Sequence, residues 1–85
     1  MEHNISKSQL AEALAAAGSA HHEYETVYLN GVRDRYWAGF YAAFVLGRLG
    51  AFAKPTDLTR WLEEAPYESD WASQTADYVL SMRSS

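Results

Sequence analysis

A chain of 85 residues is one domain, and a domain of this size buries only roughly 60–70% of its unfolded surface, so its core is thin. The composition is that of a globular protein, 48% hydrophobic and 14% aromatic, while a net charge of −4 without any basic run excludes the electrostatic footprint of a nucleic-acid binder or of a chain drawn to anionic lipid. The absence of cysteine excludes a disulfide framework, a thiolate zinc site and a cysteine nucleophile.

The opening MEHNISKSQL has no basic segment followed by an apolar run. No signal peptide is expected. The chain is expected in the cytoplasm, where the Asn4-Ile5-Ser6 sequon carries no glycan. The first helix is predicted over about residues 6–28. Ser6-x-x-Gln9 fits a capping box. Leu10, Leu14, Ala17, His21, Tyr24 and Tyr28 alternate steps of four and three and so share one face. Asn30-Gly31 stops the helix, since both residues tolerate the left-handed conformation.

The second helix, predicted over 35–49, follows Asp34, read as its N-cap, and ends at Gly50. Its sequence RYWAGFYAAFVLGRLG holds no charge between Arg35 and Arg48. That uncharged run is 12 residues long. A membrane-spanning helix needs about 20, so the run reads as a buried helix. Its Trp, Phe and Tyr residues are expected to form the centre of the core. The third helix, predicted over 55–65, starts at Pro55, where a missing N–H costs nothing. The fourth is predicted over 69–82, with Arg83-Ser84-Ser85 as a frayed tail. No stretch alternates with a strand period, and short connections make successive helices antiparallel neighbours. The predicted fold is therefore all-α: a single domain over 1–85, a four-helix antiparallel bundle of two helical hairpins.

Shifted by 34 residues, WAGFYAAFVL (37–46) lies over WASQTADYVL (71–80). Tyr24, Val27 and Tyr28 then meet Leu58, Trp61 and Leu62. A period of 34 is the tetratricopeptide length. The signature residues of that repeat are missing, and two copies fall short of a stacked array. Duplication and chance similarity of amphipathic helices both account for the match. The comparison isolates one feature. Where the fourth helix carries the polar Ser73, Asp77 and Ser81, the second carries Gly39, Ala43 and Gly47, with Phe40 beside them. A helix that is apolar all round is buried all round. Two covers are open: the first helix, through Ala11, Ala15 and Gly18, or a second copy of the chain.

The densest polar cluster is HHEYE, residues 21–25. His21 and Glu25 are four apart and His22 and Glu25 three apart, so either pair can meet on a helix. A divalent metal takes imidazole and carboxylate together, which makes His21, His22 and Glu25 a candidate metal set. His21, Tyr24, Glu25, Asp34, Trp37 and Tyr41 are the candidate lining of a ligand pocket. A half-buried His21 bonded to Glu25 for purely structural reasons explains the same residues. No phosphate-cradling glycine loop, nucleophile elbow, HExxH or EF-hand loop is present. No catalytic residue and no cofactor are expected.

HHEYE, a glycine-containing loop, Asp34 and then W-A-x-F-Y-A-A-F-V-L resemble small bacterial helical proteins. Those carry His-x-x-Tyr-Glu followed by Asp-x-x-Trp-Pro-x-Trp-Tyr-Ala. The resemblance covers about a third of the chain. It departs at Ala38, where the pattern has Pro, and at Phe40, where it has Trp. It draws attention to Tyr24, Glu25, Asp34, Trp37 and Tyr41 as a set and implies no activity. The function expected from the sequence is self-association or protein interaction through Gly39, Phe40, Ala43 and Gly47. The alternative is a small-ligand or metal-binding protein, possibly an enzyme, built on His21, His22, Glu25 and Asp34. The partner expected is a second copy or another protein, with no nucleic acid and no membrane.

Overall fold

The computed structural model describes residues 5–65 and 70–84. It has four helices: α1 (Lys7–Val27), α2 (Trp37–Leu49), α3 (Pro55–Glu64) and α4 (Trp71–Ser84), with no strand among the described residues. They form the expected all-α bundle. His3, the Asn4 sequon and the predicted fourth-helix start at Ser69 lie outside the described residues.

Local chemistry sets most helix ends. Ser6 Oγ accepts from the Gln9 N–H at 3.0 Å, and Gln9 Oε1 accepts from the Ser6 N–H at 2.9 Å, a complete capping box. At the other end of α1, Asn30 (φ 53°) and Gly31 (φ 80°) are left-handed. The chain reverses there, and the Gly31 N–H reaches the Glu25 carbonyl at 2.8 Å. Pro55 opens α3 at its first position. Gly50 closes α2 with φ 95°.

Two predicted ends move. Asp34 does not cap α2; Tyr36 holds the N-cap position and the helix starts at Trp37. The Asp34 carboxylate is instead engaged by His21 and by the Tyr36 N–H. Arg83 belongs to α4 rather than to a frayed tail. Its Nε donates to the Phe52 carbonyl at 3.1 Å, and its guanidinium lies 5.8 Å from the Phe52 ring centroid, which ties the last turn of α4 to the α2–α3 connection.

The helices pack as a ring. The backbone of α1 runs beside α2 and α4, and that of α3 beside the same two, while α2 and α4 meet across the diagonal through the rings of Trp37, Tyr41 and Trp71. Leu10, Ala13, Leu14 and Ala17 of α1 are fully buried, as are Leu58 and Leu62 of α3 and Thr75, Ala76 and Val79 of α4. From α2 the buried residues are Ala38, Ala42 and Val45. The centre of the core is thus aliphatic, and Trp37, Tyr41 and Phe44 are only half-buried against it. The expected aromatic centre is corrected. The side chains of α2 that reach the centre are Ala38, Ala42 and Val45, and its rings lie on the flanks, Phe40 and Tyr41 against His21 of α1.

The 34-residue comparison holds partly in the packing. Ala42 and Ala76, and Val45 and Val79, occupy matched positions and are all buried. The match breaks on the preceding helices. Leu58, Trp61 and Leu62 are buried in α3, whereas their counterparts Tyr24, Val27 and Tyr28, at the end of α1 and its C-cap, are 37%, 60% and 74% exposed.

Candidate functional site

The C-terminal half of α1, the 28–36 connection and the first turns of α2 and α4 surround a cavity of about 490 Å³. Its polar wall is built from a short stretch of chain. His21 and Glu25 lie one turn apart on α1, and the reversal at Asn30-Gly31 brings Asp34 back over them. Nε2 of His21 stands 2.9 Å from Oδ2 of Asp34. Glu25 Oε2 accepts the Asp34 backbone N–H at 2.7 Å, and Asp34 Oδ1 accepts the Tyr36 N–H at 2.9 Å. The other Glu25 oxygen, Oε1, lies 4.0 Å from Nδ1 of His21. Hydrogen bonding to His21 first and to the Tyr36 N–H second, with a smaller attraction to the imidazole in its protonated form, hold the Asp34 carboxyl below its ordinary pKa, against the opposing effect of burial.

The apolar wall is aromatic. Trp37, Tyr41 and Trp71 meet nearly at right angles. The ring planes are inclined by 86° for Trp37–Tyr41, 87° for Tyr41–Trp71 and 69° for Trp37–Trp71, with centroids 5.2, 5.5 and 6.1 Å apart. Tyr41 is seated on α1 at Gly18, where a Cβ would stand 3.2 Å from its hydroxyl. The His21 ring is wedged between Phe40, 5.0 Å away, and Tyr41, 5.4 Å away. Arg33 completes the rim. It is exposed and makes no ion pair or hydrogen bond with any described residue.

Of the six residues expected to line a pocket, His21, Glu25, Asp34, Trp37 and Tyr41 converge here. Tyr24 does not. It lies on the far side of Phe40, in a second hollow of about 340 Å³ with Val27 and Tyr28. The metal set is not assembled. His22 is exposed and off the cavity, and Nε2 of His21 is taken by Asp34. Among the described residues no three His, Cys, Asp or Glu side chains converge to hold an ion. Two lining residues, Arg33 and Trp71, were not anticipated. Trp71 had a signal, since it is the repeat counterpart of Trp37; Arg33 had only its place beside Asp34.

A second surface lies on the outer side of α2. Gly39, Ala43 and Gly47 are exposed, and a Cβ added to either glycine would meet nothing within 4 Å. α1 does not cover them, which removes the internal alternative: it packs on the flank of α2 that carries Phe40 and Tyr41. Phe40, half-buried, joins this stripe to the exposed Tyr24, Val27 and Tyr28, stacking on Tyr24 with centroids 5.3 Å apart.

Compared with known proteins, the chain matches no protein family, no curated protein and no solved structure. No helix among the described residues is long and apolar enough to cross a membrane.

Proposed function

We propose that the protein is a self-associating helical module whose two copies pack α2 against α2 across Gly39, Phe40, Ala43 and Gly47. The observation that carries this reading is the exposure of that uncharged stripe on a chain with a thin core. The stripe is symmetric about Ala43: a two-fold axis there sets Gly39 of one copy against Gly47 of the other. An isologous interface requires such self-complementarity. Small residues let the backbones approach and gain dispersion contacts. The antiparallel crossing also opposes the helix dipoles favourably.

Size decides how much more surface must take part. A stable interface buries about 800 Å² per partner. That is about a seventh of the 5600 Å² exposed by this chain. A 13-residue helix is about 20 Å long and about 10 Å wide, too small to supply this alone. Tyr24, Val27 and Tyr28 lie alongside through Phe40 and extend the apolar area. Their repeat counterparts are buried in α3, so side chains of this kind are accommodated by packing wherever a neighbour is available. Exposed apolar patches of this extent mark interaction surfaces.

Sedimentation across a concentration series tests the reading. A monomer–dimer equilibrium is expected for the natural chain, and Ala43→Leu, which adds bulk at an exposed position, is expected to give a folded monomer. A chain that stays monomeric at every concentration overturns it.

A further inference from the structure

The cavity beside this surface presents unmatched hydrogen-bonding groups of a particular kind. Asp34 is ionised at neutral pH and accepts only, so the 2.9 Å bond requires the proton on Nε2 of His21. In the neutral ring Nδ1 is then an acceptor. It belongs to a side chain only 7% exposed, and no donor among the described residues is placed on it. Glu25 Oε1, 4.0 Å away, is a second acceptor, since a carboxylate cannot donate. Two acceptors at this separation repel each other and are both satisfied by one donor-rich group set between them. A primary ammonium has three N–H donors and fits that role. The walls agree, because the faces of Trp37, Tyr41 and Trp71 attract cations and bury apolar surface. At the rim, the unpartnered Arg33 guanidinium offers paired donors suited to a carboxylate.

We infer that this cavity binds a small zwitterion of the amino-acid class, its ammonium between Nδ1 of His21 and Oε1 of Glu25, its apolar body against Trp37, Tyr41 and Trp71, and its carboxylate on Arg33. The Asp34 carboxylate has a positioning role, holding the imidazole in the tautomer that leaves Nδ1 open. A volume of about 490 Å³ admits a molecule of this size. The inference is independent of self-association, because none of the residues it uses lies on the Gly39–Ala43–Gly47 stripe.

Three matched probes separate the contacts: phenylalanine, phenethylamine, which lacks the carboxylate, and 3-phenylpropionate, which lacks the amine. Titration calorimetry, with chemical-shift mapping of the Trp37 and Trp71 indole N–H groups, reads binding and place together. The expected order is phenylalanine tightest, phenethylamine about tenfold weaker, and 3-phenylpropionate weakest. Arg33→Ala, at an exposed position, is expected to bring phenylalanine down to the level of phenethylamine while leaving phenethylamine unchanged. Glu25→Gln keeps an oxygen for the Asp34 N–H and is expected to weaken both amines. The inference is overturned if 3-phenylpropionate binds as well as phenethylamine, if shifts fall outside the cavity, or if no probe binds saturably.

Discussion

Replacing both Gly39 and Gly47 by Ala has opposite expected effects on the fold and on its assembly. Glycine inside a helix costs about 0.8–1 kcal/mol relative to alanine. Gly39 is the third residue of α2 and Gly47 the third from its end, so we take about half that value for each, or about 1 kcal/mol together. Neither glycine has positive φ, and neither new methyl meets an atom within 4 Å, so no strain offsets the gain. For a domain of this length, 1 kcal/mol raises Tm by about 4–8 °C. In a close α2–α2 contact the same two methyls hold the helices apart, and overpacking of this kind costs about 1–3 kcal/mol. The dissociation constant should therefore rise about 5- to 150-fold. Melting curves recorded from dilute to concentrated protein, with sedimentation on the same samples, measure both effects. A lower Tm for the double variant in dilute solution would show that the chain itself covers this face and refute the reasoning. Unchanged dimerisation alongside a raised Tm would exclude the stripe as the interface.

Three further outcomes follow from the packing and the polar cluster. Asp34→Asn removes a charge-assisted bond to His21 and should cost about 1.5 kcal/mol at neutral pH. The Asp34 pKa is lowered on folding, so its contribution is fully present above the ordinary value of 3.8 and is lost as pH falls through the lowered folded value. The stability gap between natural chain and variant, measured by urea titration, should accordingly narrow below about pH 4. Thr75 is wholly buried and its hydroxyl has no partner, so Thr75→Val, which keeps the side-chain shape, should raise stability by about 1 kcal/mol in the same assay. Ser6→Ala breaks the capping box at the start of α1 and should lower stability by about 1 kcal/mol, with a small loss of helical circular dichroism.

Helix boundaries and the polar cluster were largely legible because their causes are local. The capping box spans four residues, and the stop at Asn30-Gly31 depends on backbone preference alone. His21 and Glu25 are one helical turn apart, and Asp34 follows after a single reversal, so their meeting needs no knowledge of the rest of the fold. The expected Asp34 cap fails because an aspartate before a helix ordinarily bonds the first turn, whereas here a buried imidazole competes for the carboxylate. For Trp71 the repeat match to Trp37 hints at a shared role but not at a shared place. That tryptophan stands 50 residues from His21 and comes to the cavity only because α4 packs on α1.

The sequence by itself determined four helices, their ends to within about two residues, the all-α class and the composition of one polar cluster. These follow from capping, backbone preference and spacing along a single helix, all of which act over a few residues. Only the tertiary structure decided which side of α2 faces inward. Every side of that helix is apolar or small, so periodicity gives no preference among them. Close packing of Ala38, Ala42 and Val45 resolved it, turning the rings of Trp37 and Tyr41 into the wall of a cavity and leaving Gly39, Ala43 and Gly47 open to the outside.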